Sequence, residues 1–149
     1  LGSIVESIIN GRKIKFLDKG FINSTITIVD KKTKHVIGSI MISNMLTFKP
    51  IATLKIDVHH RYRWTSPQIF AKSWLWTNLT SGQTTIKSNE PLNIFSHKGV
   101  ITIIEKTDHD DLLIAVGIHL RNVTHLKMHL IRLIALILVI ILGSILFWR

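Results

Sequence analysis

An almost wholly apolar stretch near the C-terminus constrains this chain more than any other feature. It reads LIALILVIILGSILFW from Leu133 to Trp148 and contains no charged residue. Extended back to Leu130, it has nineteen residues with Arg132 as the only charge, or about 28 Å of helix at about 1.5 Å per residue. A bilayer's hydrocarbon core is about 30 Å thick, so the sequence predicts a transmembrane tail anchor over residues 130–149.

The predicted anchor has recognisable lipid-facing and flanking residues. Arg132 can extend along its own methylene stem to the headgroups, so its charge need not enter the lipid. Basic residues also precede the span in greater number than they follow it, which predicts that the preceding domain is cytoplasmic in a single-pass protein. The flanking cations are Arg121, Lys127 and Arg132 before the span and Arg149 after it; the span itself includes Leu133, Leu138, Leu142, Phe147 and Trp148.

The rest of the chain has the size of one soluble domain. About 129 residues can bury most of their own apolar surface. The chain contains no cysteine, which excludes a disulfide framework, a thiolate nucleophile and a cysteine zinc site. Residues 1–11, an N-terminal segment, lack the charge and apolar pattern of a signal peptide. A formal net charge of +10 indicates a polyanionic partner, and a tethered domain favours anionic lipid over nucleic acid.

Residues 12–109 alternate between apolar and polar positions with a period of two, which is typical of strands. Phe21–Asp30 and His35–Ile42 flank the polar run 31–34 and predict a hairpin. About eight short strands without a long helix between them predict a mainly β domain, an antiparallel barrel or sandwich. The other predicted strands are Arg12–Leu17, Ile51–Val58, Gln68–Trp76, Gln83–Ser88, Leu92–Phe95 and Val100–Glu105.

The pattern changes to a helix near Asp110. Thr107 and the acidic residues Asp108, Asp110 and Asp111 suit an N-cap and a first helical turn. Leu112–Leu120 is apolar on nearly all sides, so we expect the sheet to bury it. Residues 110–129 therefore form an apolar core helix and a polar neck, and the pattern is compatible with one helix that continues into the span.

The order of these parts resembles a known group of proteins. FINSTITIVDKKTKHVIGSI and SHKGVITIIEKTDHDDLLIAVGIHL are similar in pattern to the tubby C-terminal domain, the LURP-one-like proteins and the phospholipid scramblases, in which about twelve strands surround an apolar helix. The resemblance covers most of residues 12–125 and implies binding of anionic phospholipid headgroups without catalysis. It also implies that Leu112–Leu120 fills a barrel. A bacterial pleckstrin-homology-like fold, with seven strands and a capping helix, is the alternative.

The most suggestive local cluster is HHRYRW from His59 to Trp64. Two arginines interleaved with two aromatic residues suit a lipid interface or stacking on bases. We expect Arg61, Arg63 and Trp64 to contact lipid headgroups, together with Arg121, Lys127 and Arg132 at the neck. The alternative is an exposed loop with Trp64 packed inward. Trp74 and Trp76 share one face of a strand, and core packing explains them best.

No motif indicates catalysis, a metal or a cofactor. His125 and His129 are four residues apart on one helix face, but no third ligand stands at a telling spacing. We therefore predict a non-enzymatic, tail-anchored protein that binds membrane lipids. The alternatives are an accessory, assembly or immunity protein that docks on a membrane protein complex, and a membrane-tethered nucleic-acid binder.

Overall fold

A computed structural model describes residues 2–20, 24–44, 49–66, 73–89 and 99–147. They form nine strands followed by one long helix. The elements are β1 (Gly2–Ile9), β2 (Arg12–Lys19), β3 (Thr25–Asp30), β4 (Val36–Ser43), β5 (Ile51–Lys55), β6 (Arg61–Thr65), β7 (Trp74–Asn78), β8 (Thr84–Asn89), β9 (Val100–Ile103) and α1 (Asp110–Phe147). The expected strand Leu92–Phe95 and the first part of Gln68–Trp76 lie outside the described residues.

The nine strands form a single antiparallel sheet in which each strand pairs with the next along the chain. This confirms the predicted mainly β class. The predicted boundary at residue 12 is wrong, because Gly2–Ile9 pairs with β2 from Gly2 opposite Lys19 to Ile9 opposite Arg12. The two-residue turn Asn10–Gly11 has positive φ at both residues, 49° and 73°, the conformation that closes tight hairpins.

The hydrophobic core lies on one face of the sheet because buried and outward-facing side chains alternate along the strands. Ile26 and Ile28 on β3 are fully buried, as the predicted hairpin requires. Trp74 and Trp76 are buried side by side on the same face, which confirms them as core residues. From β2 to β8 the buried apolar residues are Ile14, Phe16, Ile26, Ile28, Ile40, Ile42, Ala52, Leu54, Tyr62, Trp64, Trp74, Trp76 and Ile86.

The first half of α1 packs against this face. Leu113, Val116 and Leu120 are fully buried, and the helix contacts both β1 and the distant strands β7 and β8. The sheet therefore curls around the helix, although no pairing between β1 and β9 occurs among the described residues. The apolar segment 112–120 is not enclosed on every side: Ile118 is 42% exposed and lines a groove beside β1.

Two side chains of β7 fit the helix closely. Trp76 donates a hydrogen bond from Nε1 to the carbonyl oxygen of Leu113, at 2.8 Å. The ring of Trp74 lies where a Cβ on Gly117 would be, with its Cη2 only 2.6 Å from that position. A glycine at 117 thus permits the helix to approach the Trp74 ring closely.

The curled domain has two distinct ends. The turn end contains the turns β1–β2, β3–β4, β5–β6 and β7–β8 and the start of α1. There the Asn10 side chain donates a 2.6 Å hydrogen bond to Asp111, and the rings of His60 and His109 are 4.7 Å apart. The exit end is the opposite one, where α1 leaves the sheet at Lys127, which contacts Gly20 and Ser24 between β2 and β3.

Beyond the exit end, α1 continues without a break to Phe147. No described side chain from His129 to Ile145 is buried. This helix is long and apolar enough to cross a bilayer, and only 6% of its most apolar window is buried. The architecture is consistent with a single-pass membrane protein, and it confirms one helix from Asp110 into the predicted span.

Candidate membrane-facing site

Lys127 fixes the helix to the sheet at the exit end. Its Nζ lies 2.9 Å from Asp18 Oδ2 and donates hydrogen bonds to Ser24 Oγ at 3.0 Å and to the Gly20 carbonyl oxygen at 3.3 Å. The Lys127 and Asp18 side chains are only 10% and 6% exposed. The expected role of Lys127 as a headgroup ligand is therefore wrong, because a carboxylate inside the domain already neutralises its charge.

A second buried polar side chain accompanies this ion pair. His119 stacks on Phe16 of β2, with ring centroids 4.3 Å apart. Neither His119 Nε2 nor Asp18 Oδ1 has a hydrogen-bond partner among the described residues. Asp18, Lys127 and His119 thus form a small polar cluster at the interface between β2 and α1. Such a cluster fixes one position of the helix, since sliding it would leave buried charges unpaired.

The surface of the exit end is basic. Lys19 ends β2 and Lys49 precedes β5, and both are exposed. Of the carboxylates that the structure describes, Asp18 is the one at this end, and it is buried against Lys127. The others lie toward the turn end: Glu6, Asp30, Asp57, Glu105, Asp108, Asp110 and Asp111. Positive charge at the exit end is therefore not balanced by exposed acidic groups of the described chain.

Carboxylates organise the turn end instead. Asp30 Oδ1 accepts hydrogen bonds from the backbone N–H groups of Lys32 and Thr33, while Oδ2 pairs with Arg12 at 2.8 Å. The Thr33 hydrogen bond and the Arg12 guanidinium lower the pKa of Asp30 to about 2. Hydrogen bonds from the His60 side chain and backbone likewise lower the pKa of Asp57 to about 2.

The start of α1 is capped as the sequence predicts. Asp110 Oδ1 accepts hydrogen bonds from the backbone N–H of Thr107 at 3.0 Å and from its hydroxyl at 2.8 Å. Thr107 Oγ1 in turn accepts the N–H of His109 at 3.2 Å. This reciprocal arrangement is a capping box, which satisfies N–H groups at the beginning of a helix.

The side chains of the cluster from His59 to Trp64 lie on two faces of the sheet. Arg61–Thr65 is a strand, so its side chains alternate: Tyr62 and Trp64 are buried, each 1% exposed. The expected contact of Trp64 with headgroups is therefore wrong; its inward packing was the alternative, although the backbone is a strand and not a loop. Arg61 and Arg63 are exposed on the outer face.

The helical arginines lie on either side of the exit. Arg121 precedes the exit and is half-buried within the curled sheet. Arg132 follows the exit by five residues and is also half-buried. Both make interactions in the structure. The span residues Leu133, Leu138 and Leu142 are exposed, as lipid-facing residues would be. Nothing is described for the Phe147 side chain, and Trp148 lies outside the described residues.

The paired histidines do not form part of a larger ligand group. The rings of His125 and His129 are 4.4 Å apart, with 3.3 Å between the two Nε2 atoms. Within the described ranges, no three His, Asp or Glu side chains converge as a metal site requires. Two imidazoles alone do not complete the usual ligand set of a protein zinc site.

The fold and this site are the basis for a functional assignment, because known proteins give no match. No protein-family model matches the chain, and neither curated proteins nor solved structures give a significant match.

Proposed function

We propose that this chain is a non-enzymatic, single-pass membrane protein whose exit end faces the headgroups and binds anionic phospholipids. One observation carries the proposal: the same unbroken helix is the core of the domain and the apolar segment beyond it. A helix shared in this way leaves no flexible linker between domain and bilayer. The exit end is therefore the surface nearest to the lipid.

The distance along the helix supports contact with headgroups. Lys127, which is fixed to Gly20 and Ser24, precedes the first residue of the apolar stretch, Leu130, by three residues, or about 4.5 Å of helix. Lys19 is next to Gly20 in the chain. A cation this close lies within a Debye length, about 8 Å at physiological salt, of an anionic leaflet. Each such cation contributes about 1 kcal/mol to the attraction.

The sequence of the strand connections supports the same orientation. The sequence segments that connect β2 to β3, β4 to β5, β6 to β7 and β8 to β9 each contain a phenylalanine: Phe21, Phe48, Phe70 and Phe95. These residues lie outside the described part of the chain, so only their residue type supports the proposal. The turns at the turn end, by contrast, contain no Phe, Trp or Tyr. Apolar and aromatic residues beside cations are typical of segments that meet a bilayer surface.

We also propose a cytoplasmic location for the domain and a relationship to the tubby-like proteins. The excess of cations before the span supports the orientation. A single antiparallel sheet curled around an apolar helix supports this relationship in preference to a sheet capped by a helix at one end. The nine described strands are fewer than the roughly twelve that the resemblance implies.

Lipid selectivity of the full-length protein tests the proposal. The protein would be reconstituted with spin-labelled phosphatidylserine or phosphatidylcholine, and electron paramagnetic resonance would measure the lipid fraction immobilised at the protein. We expect phosphatidylserine to be preferred at low salt and the preference to decline as salt screens the charges. Equal association of both lipids at low salt would contradict the proposal.

A matched pair of variants locates the effect. Substituting Lys19→Gln and Lys49→Gln at the exit end should reduce the preference, by up to about fivefold for each cation removed. Substituting Lys13→Gln and Lys32→Gln, two exposed cations at the turn end, should leave it unchanged. An equal loss in both variants would mean that net charge, and not the exit end, determines lipid selectivity.

A further inference from the structure

A second basic surface lies on the outer face of strands β5–β8. Lys55, Arg61, Arg63 and Lys87 are all exposed there, and we call them the basic stripe. The sequences of these four strands contain neither Asp nor Glu. No ion pair of a stripe residue occurs within the described part of the chain. The stripe is thus a concentration of positive charge that the domain itself does not neutralise.

The strand register brings two of these cations directly together. Lys55 and Arg61 are opposite each other across β5 and β6, and Arg63 lies two residues from Arg61 on the same face. Like charges in directly opposite positions destabilise a sheet. Two cations of β2, by contrast, have carboxylate partners: Arg12 pairs with Asp30, and the half-buried Lys15 pairs with Glu6.

Lys55 and Arg61, at one end of the stripe, lie at the turn end of the domain, whereas the register places Lys87 closer to the exit end. Arg61 begins β6 beside His60, whose ring contacts His109, the residue before α1. From Asp110 to the exit at Lys127 the helix rises about 26 Å, several Debye lengths at physiological salt. If the exit end faces the bilayer, as proposed above, the turn-end part of the stripe is too far from the headgroups to bind them. Arg61 is then available to a partner in the aqueous phase.

The surroundings of the stripe favour one class of partner. Binding of single-stranded nucleic acid usually adds stacking of bases on aromatic rings, but the nearby Tyr62, Trp64, Trp74 and Trp76 are all buried. Arginine guanidinium groups bind carboxylates through paired hydrogen bonds. Lys55 and Lys87 are about 14 Å apart across the strands, at about 4.8 Å per strand, and about 13 Å apart along them. The stripe is therefore about 19 Å long, the length of about six extended residues.

We propose that the basic stripe, which the span holds above the bilayer, binds a short acidic segment of a protein partner. Binding would relieve the repulsion between Lys55 and Arg61, because carboxylates of the segment would lie between the two cations. This surface assigns to Arg61 and Arg63 a protein partner in place of lipid headgroups. The placement relative to the membrane rests on the proposed lipid-facing function of the exit end, whereas the charge of the stripe does not.

Peptide binding to the full-length protein in neutral phosphatidylcholine nanodiscs tests this inference. The probes are a fluorescent oligoglutamate peptide and a labelled single-stranded oligonucleotide of equal charge, followed by fluorescence anisotropy. We expect saturable binding of the peptide, and at least about a tenfold weaker affinity after Arg61→Gln with Arg63→Gln. The turn-end variant with Lys13→Gln and Lys32→Gln should bind as the unmodified protein does.

Other outcomes would overturn the inference and can be separated from failure of the lipid proposal. Tighter binding of the oligonucleotide than of the peptide, or an equal loss in both variants, would contradict an acidic-peptide surface. So would a loss of phosphatidylserine preference in the Arg61 and Arg63 variant without a change in peptide binding.

The Lys19 and Lys49 variant separates this inference from the proposed function. It should lose lipid preference and keep peptide affinity. Absence of lipid preference alone would contradict only the proposed function. A cooperative circular dichroism melting transition at or above the temperature of the unmodified protein would show that each variant is folded.

Discussion

The two halves of α1 have similar apolar residues but opposite surroundings. In residues 110–128, Leu113, Val116 and Leu120 are fully buried by the curled sheet. In residues 129–147, side chains of the same kind are exposed, for example Leu138 at 53% and Ile140 at 59%. Apolar composition therefore indicates that a segment avoids water, but not what covers it. The polar residues near Lys127 mark the boundary between a protein interior and the proposed lipid phase.

Removing the charge at this boundary should have the largest effect. Lys127→Met leaves the Asp18 carboxylate buried without its partner, and breaking a buried pair in this way costs about 3–5 kcal/mol of unfolding free energy. Denaturant unfolding in detergent, followed by near-ultraviolet circular dichroism, would measure the loss. The double variant Asp18→Asn with Lys127→Met should recover much of it. A Lys127→Met protein as stable as the unmodified one would show that the ion pair does not fix the helix.

Leucine truncation on either side of the boundary compares the two environments directly. Leu113→Ala opens a cavity in the core, where Leu113 is fully buried, and should cost about 2–5 kcal/mol. Leu138→Ala removes the same atoms from an exposed position and should leave the unfolding free energy of the domain unchanged. Chemical unfolding of both variants in the same detergent provides the comparison. Equal losses would mean that the domain and the second half of the helix unfold as one unit.

A pair of glycines offers a similar test with a smaller effect. A Cβ at position 117 would meet the Trp74 ring at 2.6 Å, whereas a Cβ at position 143 has no neighbour within 4 Å. Gly117→Ala should destabilise the domain by about 1–3 kcal/mol through overpacking. Gly143→Ala should be neutral or slightly stabilising, because alanine favours a helix. Thermal unfolding would distinguish them, and equal tolerance at both positions would contradict the close contact with Trp74.

The domain and the second half of α1 should also differ in how pH affects their stability, because residues 133–147 contain no ionisable side chain. Folding lowers the pKa of Asp30 from 3.8 to about 2. Its contribution to stability is therefore complete above the unfolded value and is lost as the pH falls toward about 2. Asp30→Asn should remove this part of the acid sensitivity, whereas Asp108→Asn, at an exposed position, serves as the control. Melting temperatures measured from neutral pH downward would show the difference; parallel pH profiles of the unmodified protein and Asp30→Asn would contradict it.

Local patterns in the sequence predicted much of the fold. The β3–β4 hairpin, the Thr107 cap, the start of α1 and the inward Trp74 and Trp76 all follow from short-range rules. Strand β1 was missed because its apolar residues occur in adjacent pairs, Ile4–Val5 and Ile8–Ile9, as an edge strand with both faces partly exposed permits.

The candidate site was harder to predict. The same alternation that identifies strands places Tyr62 and Trp64 on one face, so their burial had a readable signal, which the adjacent arginines obscured. The Asp18–Lys127 pair had no such signal. The two residues are more than a hundred positions apart, and only the docking of α1 against β2 brings them together.

Because α1 has no break between the domain and the span, a tilt of the span also tilts the domain. Transmembrane helices tilt by about 20° on average, and the tilt responds to the thickness of the bilayer. Over the helix length within the domain, about 26 Å, a change of that size would move the turn end sideways by about 9 Å. The position of the basic stripe above the membrane would then depend on the lipids around the span.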